Sequence, residues 1–181
     1  MLQAKTLADT LTTIRVFMAA FILWLGVTQG AQALPLAVVA LVIGWATDLV
    51  DGPLARRDPN PRHTWIGDHD LEVDMVVSFA VLAYLALSGF VSLLIALGYI
   101  LLIIGLHWYL RSRSLAMAAQ APPYGGIIYT ALRRAPHYGL LAVVWIIFVV
   151  VVTWPRFPRI IIPQFLRGMR DLGQGDDEVG N

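Results

Sequence analysis

The sequence predicts an all-α membrane protein with about six transmembrane helices. Of its 181 residues, 58% are hydrophobic and only 14% are charged, and its mean hydropathy is +0.70. Two stretches, 16–47 and 75–106, contain no charged residue. Since a helix needs about 20 residues to cross a bilayer, each stretch can hold a helical hairpin. This composition lies far from that of a soluble domain.

The charge-free stretches and their glycine and proline breaks divide the chain into successive helices. We expect spans at about 14–30, 34–54, 70–90, 91–110, 115–132 and 137–154. The fifth contains Gln120 and two prolines, so a re-entrant or buried segment, and with it a five-span protein, stays open. Ahead of the first span, Leu7, Leu11 and Ile14 recur at helical spacing and predict an N-terminal juxtamembrane amphipathic helix.

The chain is expected to form one transmembrane domain, 1–172, followed by a disordered acidic tail, 173–181. Arginines follow the second and fourth spans, which predicts a cytoplasmic N-terminus in a multi-pass protein of a bacterial-type cell membrane. No basic run suggests nucleic-acid binding. With no cysteine, the chain can form neither a disulfide nor a cysteine-ligated metal site.

Carboxylates are concentrated where the second and third spans meet the cytoplasm. Asp48 and Asp51 are three residues apart, and Asp70 and Asp74 are four apart, so each pair shares one helical face. The short connection between the spans lets the two faces oppose each other. Charged groups at a membrane boundary are costly and usually functional. We therefore expect four carboxylates to converge on one site on the cytoplasmic side.

Such a cluster repels itself unless protons or cations neutralise it, and its all-oxygen character favours Mg²⁺, Mn²⁺ or Ca²⁺ over Zn²⁺. Four carboxylates are enough for two metal ions, an arrangement suited to phosphoryl chemistry. Gly52 and Ala55 keep the helix face free of bulk, and Arg56 offers donors to a phosphate or diphosphate.

These residues resemble the signature of a known family. The order Asp-x-x-Asp-Gly-x-x-Ala-Arg, then Gly and Asp-x-x-x-Asp, is similar to that of the CDP-alcohol phosphotransferases, also called CDP-alcohol phosphatidyltransferases. The chain has ten residues between Arg56 and Gly67 where the family has eight, and two between Gly67 and Asp70 where it has three. Thr12 and Arg15 also resemble a Thr-x-x-Arg at the start of the family's first helix.

The resemblance implies a membrane enzyme of phospholipid synthesis. Such an enzyme transfers a substituted phosphate from a CDP-alcohol, such as the lipid CDP-diacylglycerol, to a small acceptor alcohol and releases CMP. It implies two ions of Mg²⁺ or Mn²⁺ held by Asp48, Asp51, Asp70 and Asp74, with Asp74 also the candidate general base. It further implies that Gly52, Ala55, Arg56 and Gly67 contact the cytidine diphosphate.

The acceptor stays open at this stage. If it carries a phosphate, arginines should cluster to bind it, and the candidates are Arg111, Arg113, Arg133 and Arg134. The segment 126–130 resembles a Gly-Lys-x-Lys-Thr segment of phosphatidylglycerophosphate synthases, but both lysines are replaced. Glycerol 3-phosphate is one candidate, beside inositol phosphate, serine or another lipid-linked alcohol.

Two other functions use the same residues. Intramembrane carboxylates also occur in transporters of divalent cations or protons, although Arg56 would place a fixed positive charge beside that path. A non-catalytic membrane scaffold of the same fold is the third hypothesis, and the altered Gly67 loop supports it. The expected partners are membrane lipids and a second copy of the chain, for which the third and the fourth span are alternative contact faces.

Overall fold

The computed structural model describes residues 4–55, 70–110, 112–155 and 157–170, with the side chains of 4–9, 50–55, 70 and 161 outside the description. These residues form helices joined by short turns, and no strand occurs among them. The helices are α1 (Ala4–Thr28), α2 (Leu34–Ala55), α3 (Asp70–Leu87), α4 (Leu93–Leu110), α5 (Arg113–Arg134), α6 (Pro136–Val152) and α7 (Ile162–Arg170). The predicted all-α class is confirmed.

Helix α1 lies between α2 and α3 and packs closely on both. Its buried residues Ala19, Ile22 and Leu25 follow a spacing of three to four, so they form one stripe along the helix. At Gly26 a Cβ atom would lie 3.3 Å from the Tyr84 Cα atom, so glycine permits this close contact between α1 and α3. The Tyr84 hydroxyl donates to the Gly30 carbonyl at 3.1 Å, which ties α3 to the α1–α2 turn.

That turn is a single 3₁₀ segment, Gly30–Ala33, which reverses the chain between α1 and α2. Gly30 has a φ of +57°, a left-handed conformation that side chains with a Cβ rarely adopt. The start of α1, the end of α2 and the start of α3 therefore lie at one end of the bundle. Asp48 and Asp74 are at this end, which we call the acidic end.

Helix α4 lies at the periphery, where only Ala96 and Ile103 are buried. Most of its other residues are exposed, as expected for a helix in contact with lipid. Its Tyr99 hydroxyl donates to the Ala119 carbonyl of α5 at 2.7 Å. In a regular helix this carbonyl would accept from the amide of residue 123, but Pro123 has no N–H. Tyr99 thus replaces a hydrogen bond that α5 cannot make for itself.

Helix α5 is continuous through Pro122 and Pro123. It packs mainly against α3 and α6, with Ala116, Ala119, Ile127 and Ala131 buried. It is the least apolar of helices α1 to α6 because it contains Gln120, two prolines and terminal arginines. The neighbouring helices cover much of its surface. The segment is thus a full helix that faces protein over much of its length.

Within the described parts of the chain, three helical segments are long and apolar enough to cross a membrane: Thr10–Thr28, Gly30–Leu49 and Leu93–Leu110. A fourth is possible if α6 and the segment Phe157–Arg170, bent by 77° from it, count as one span. The predicted count of six is therefore not established by length and composition. The predicted juxtamembrane helix is also not a separate element, since α1 runs unbroken from Ala4 into the first span.

Helix α7 follows a π-helical turn, Phe157–Ile161, and packs near the start of α5. A Cβ atom at Gly168 would meet the Ser114 hydroxyl oxygen, so the two helices are in close contact there. Arg167 and Arg170 are exposed, which agrees with a helix lying along the membrane surface at the acidic end. The predicted tail, 173–181, lies outside the described residues.

Candidate functional site

Three helices bring one charged residue each to the acidic end of the bundle. Arg15 lies on α1, Asp48 in the last two turns of α2, and Asp74 in the second turn of α3. The packing of α1 between α2 and α3 places Arg15 against both carboxylates. One nitrogen of its guanidinium, Nη1, donates to Asp48 Oδ1 at 2.9 Å and to Asp74 Oδ1 at 2.5 Å.

Burial differs sharply between the arginine and its partners. Arg15 is 1% exposed, whereas the Asp48 side chain is 48% exposed and that of Asp74 is 26% exposed. The other terminal nitrogen, Nη2, donates to the Thr12 hydroxyl at 3.2 Å. The guanidinium thus contacts the carboxylates from inside the bundle, and the carboxylates keep accessible surface on the outer side.

A cavity of about 140 Å³ opens beside this cluster. It is smaller than the roughly 300–1,000 Å³ of sites for drug-sized ligands, so it suits a small molecule or one part of a larger one. Its lining combines the three charged residues with side chains from deeper in the bundle, namely Gly44, Trp45, Val77, Gln120 and Tyr124. The cavity therefore extends from the carboxylates into the interior between α2, α3 and α5.

Two aromatic residues form one wall of the cavity. Trp45 and Tyr124 meet edge to face, with ring centroids 5.2 Å apart and an interplanar angle of 90°, which is a favoured geometry for aromatic pairs. The Tyr124 hydroxyl donates to the Asp74 backbone carbonyl at 3.5 Å, a long contact that links α5 to the start of α3. This wall holds α5 at the level of the carboxylates.

Gly44 also lines the cavity, but it has no side chain and so leaves the space beside it open. A Cβ atom built there would have no neighbouring heavy atom within 4 Å. Gly44, Asp48 and Gly52 are spaced by four along α2, so they lie on one face, about one turn apart. The helix thus presents a glycine on either side of its carboxylate.

The structure brings together one member of each predicted acidic pair. Asp48 and Asp74 converge, and both contact the same arginine nitrogen. Asp51 and Asp70 belong to the same two helices, one turn from Asp48 and Asp74 respectively, and their side chains lie outside the description. Gly52 and Ala55 belong to the last turns of α2, while Arg56 and Gly67 lie outside the described residues.

The four arginines proposed to bind the acceptor do not form one cluster. Arg113 begins α5 at the acidic end, whereas Arg133 and Arg134 end the same helix. Twenty helical residues span about 30 Å, so the two groups lie at opposite ends of the bundle. Arg113 therefore cannot share one anion site with Arg133 and Arg134, and Arg111 lies outside the described part of the chain.

The donor set fits a divalent cation only in part within the described residues. Among them no group of three acidic or histidine side chains converges. The two carboxylates that do converge come from different helices, retain exposed surface and border a cavity, as ligands to an oxygen-preferring cation would. Asp51 and Asp70, at the adjacent turns, are the residues that could complete the set.

Sequence reasoning did not assign Arg15, Gly44, Trp45, Gln120 or Tyr124 to the site. The signals were modest: Arg15 belongs to the short Thr-x-x-Arg resemblance and is the last charge before the first apolar stretch, and Gln120 interrupts an otherwise apolar segment. Gly44 lies one turn before Asp48. Each signal has an ordinary structural explanation, and only packing between helices shows that these residues line one cavity.

Comparison with known proteins agrees with the geometry. The family model described as CDP-alcohol phosphatidyltransferase matches residues 5–162, which include Arg15, all four acidic residues and the cavity lining. No curated protein sequence and no solved structure gives a significant match.

Proposed function

Because the chain belongs to the CDP-alcohol phosphatidyltransferase family, we propose that it transfers a phosphatidyl group from a CDP-linked lipid, such as CDP-diacylglycerol, to an acceptor alcohol. CMP is the second product. The observation that carries this proposal is the convergence of Asp48 and Asp74 at the mouth of a cavity. A phosphoryl-transfer site needs carboxylates at such a position and a pocket for the attacking alcohol.

In this proposal Asp74 is the general base, and the residues that would hold Mg²⁺ or Mn²⁺ are Asp48, Asp51, Asp70 and Asp74. When bound, the cations would neutralise the carboxylates and the charge on the transferring phosphate. The acceptor hydroxyl oxygen forms a bond to the phosphorus that carries the lipid, and its proton passes to the Asp74 carboxylate. The bond from that phosphorus to the CMP oxygen breaks, and CMP leaves with the electron pair.

The order of residues on α2 supports a separation of the two substrates. Gly52, Ala55, Arg56 and Gly67 are proposed to contact cytidine diphosphate on the outer side of Asp48. Gly44 lies on the inner side, where the cavity is too small for a whole nucleotide. We propose that the hydroxyl of the acceptor enters this cavity. The substrates would then approach the carboxylates from opposite sides, as an in-line displacement requires.

The acceptor itself is the least constrained part of the proposal. Glycerol 3-phosphate stays a candidate, which would make the enzyme similar to phosphatidylglycerophosphate synthases. Of the arginines proposed for its phosphate, Arg113 belongs to the acidic end, whereas Arg133 and Arg134 are too far from Asp74 to share a small acceptor with it. Inositol phosphate, serine and other lipid-linked alcohols belong in the same screen.

We also propose that helices α1 to α6 all cross the membrane, with the acidic end in the cytoplasm. Helix α3 has three acidic residues in its first five positions, and α6 has 17 residues, so both are marginal as isolated spans. Each is apolar along the remainder and packs within the bundle, which supports a crossing. The nearly bare apolar surface of α4 is compatible with lipid contact or with a homodimer.

The contacts of Arg15 count against a cation transporter. A cation path between Asp48 and Asp74 would pass a buried guanidinium that already bonds both carboxylates. A fixed positive charge at this point repels the ion that the path would have to carry. The non-catalytic scaffold remains as the alternative that an activity assay must decide.

The test is release of CMP by the purified full chain in Mg²⁺ or Mn²⁺, with CDP-diacylglycerol and a panel of acceptor alcohols. Asp74→Asn should lower the turnover by about 10²–10⁴-fold, because it removes a base from proton transfer. Glu72→Gln is the matched control, since Glu72 is an exposed acid of the same helix, and its turnover should stay near that of the wild type. Absence of CMP release with every substrate pair, together with absence of CDP binding, would refute the enzyme proposal.

A further inference from the structure

Arg15 has a place in the site that the proposed reaction does not itself require. Its Nη1 atom contacts one oxygen of Asp48 and one of Asp74, and its Nη2 atom contacts Thr12. A single guanidinium therefore joins α1, α2 and α3 at the level of the cavity mouth. No other cation among the described residues lines this cavity.

The burial of Arg15, Asp48 and Asp74 shows that the arginine contacts the carboxylates from the interior of the bundle. The arginine is inside the bundle, and the two carboxylates lie between it and the accessible side. A buried guanidinium is costly unless it is paired and hydrogen bonded, and here the two aspartates supply the pairing. The arginine in turn fixes one oxygen of each carboxylate, and both aspartates line the cavity. Such contacts behind the ligands commonly orient carboxylates in metal sites.

We propose that Arg15 is a positioning residue that acts as a fixed internal counter-ion, holding Asp48 and Asp74 together from the buried side. The functional meaning of this pairing rests on the proposed function, in which both carboxylates act at the reacting phosphate. The pairing can be tested without that reaction. The pairing of one positive charge with two negative charges predicts how the stability of the protein without substrate should change when Arg15 is replaced.

Without Arg15, the guanidinium would no longer offset the repulsion between two carboxylates that both reach one nitrogen atom, and the acidic end would be destabilised. A divalent cation added from solution would then supply the missing positive charge. Stabilisation by the cation should therefore depend on which residue stands at position 15. A role limited to packing would produce no such dependence.

The experiment is thermal unfolding of the full chain in detergent, first in EDTA, for the wild type, Arg15→Gln, Asp74→Asn and the double variant. Loss of Arg15 should lower the midpoint by about 10 °C, since it leaves two partly buried carboxylates without their counter-ion. The double variant should lose clearly less than the sum of the two single losses, because Asp48 then no longer faces a second carboxylate across the site of the missing arginine. Additive losses would overturn the proposal.

The second measurement repeats the series with Mn²⁺ alone as the probe. Mn²⁺ should raise the midpoint of Arg15→Gln by more than it raises that of the wild type, and Arg15→Lys should respond like the wild type because it keeps the charge. Thr12→Val is the control: it removes the 3.2 Å contact of Nη2 but leaves the charges unchanged, so its response should equal that of the wild type. Equal rises in Arg15→Gln and wild type would overturn the proposal.

The design remains decisive if Arg15→Gln does not fold. The double variant with Asp74→Asn should fold in that case, and failure of the double variant beside a folded Asp74→Asn protein would count against Arg15 as a counter-ion. None of these measurements uses CMP release. A protein without transferase activity could thus still show the coupling, so the two proposals can fail separately.

Discussion

Replacing Gly44 by leucine should block the candidate site and leave the helix bundle intact. Gly44 lines the cavity, and a Cβ atom there would find no heavy atom within 4 Å. A leucine side chain would therefore extend into space that we assign to the acceptor alcohol. The matched control is Gly26→Ala, where the added Cβ would lie 3.3 Å from the Cα and Cδ2 atoms of Tyr84.

Gly44→Leu should lower the turnover without lowering the unfolding midpoint, and Gly26→Ala should do the reverse. In a helix interior leucine is favoured over glycine by about 0.5–1 kcal/mol, so Gly44→Leu should keep or raise the unfolding midpoint, by about 1–4 °C for a chain of this size. Its turnover should fall about 10²-fold, because a displaced acceptor loses the aligned geometry. Gly26→Ala should lower the midpoint, since α1 and α3 must separate, while the turnover of the folded protein stays unchanged.

Thermal unfolding in detergent and CMP release by the same preparations measure the two effects. The critical comparison is turnover per folded protein, so that lost stability is not mistaken for lost activity. Wild-type turnover and wild-type acceptor KM in a folded Gly44→Leu variant would refute the assignment of the cavity to substrate.

Three further outcomes follow from the structure. Tyr99→Phe should cost about 1–3 kcal/mol of unfolding free energy, because the Ala119 carbonyl loses its donor. In the Pro123→Ala variant, which restores an amide donor, Tyr99→Phe should lower the thermal unfolding midpoint less. An equal loss with proline and with alanine at position 123 would show that Tyr99 does not replace the missing backbone hydrogen bond. Substituting Arg133 and Arg134 by glutamine should leave the acceptor KM unchanged in the CMP assay, and a raised KM would show that acceptor binding reaches the far end of α5. Chelation with EDTA should abolish turnover reversibly, with Mg²⁺ or Mn²⁺ restoring it; full turnover in EDTA would exclude the proposed cations.

Local patterns in the sequence predicted the helices and half of the site. Spacing within one helix is fixed by its 3.6-residue period, so the sequence predicts that Asp48 shares a face with Asp51 and that Asp74 shares one with Asp70. The short connection between the two helices then allows these faces to oppose each other. The same reasoning could not find Arg15, because its contacts join residues 33 and 59 positions apart. Such contacts depend on how α1 packs between its neighbours.

Other expectations depended on length and position more than on periodicity, and they fared less well. The sequence predicts a separate amphipathic helix ahead of the first span, whereas α1 continues from Ala4 into that span without a break. The residues at this junction contain no signal that distinguishes the two cases. The arginines around α5 looked equivalent in the sequence, yet a helix of 22 residues separates Arg113 from Arg133 and Arg134. For α5, prolines suggested an interruption, and the compensating donor from Tyr99 could not be read from the segment alone.

The ion cluster also bears on how the protein enters the membrane. Each of α1, α2 and α3 contributes a charge that would be costly in contact with acyl chains, and the charges compensate one another only when all three helices are side by side. We therefore expect these helices to assemble as one unit during biosynthesis, before the later helices arrive. An arginine in the first helix would then depend, for its stable insertion, on an aspartate that the ribosome adds 59 residues later.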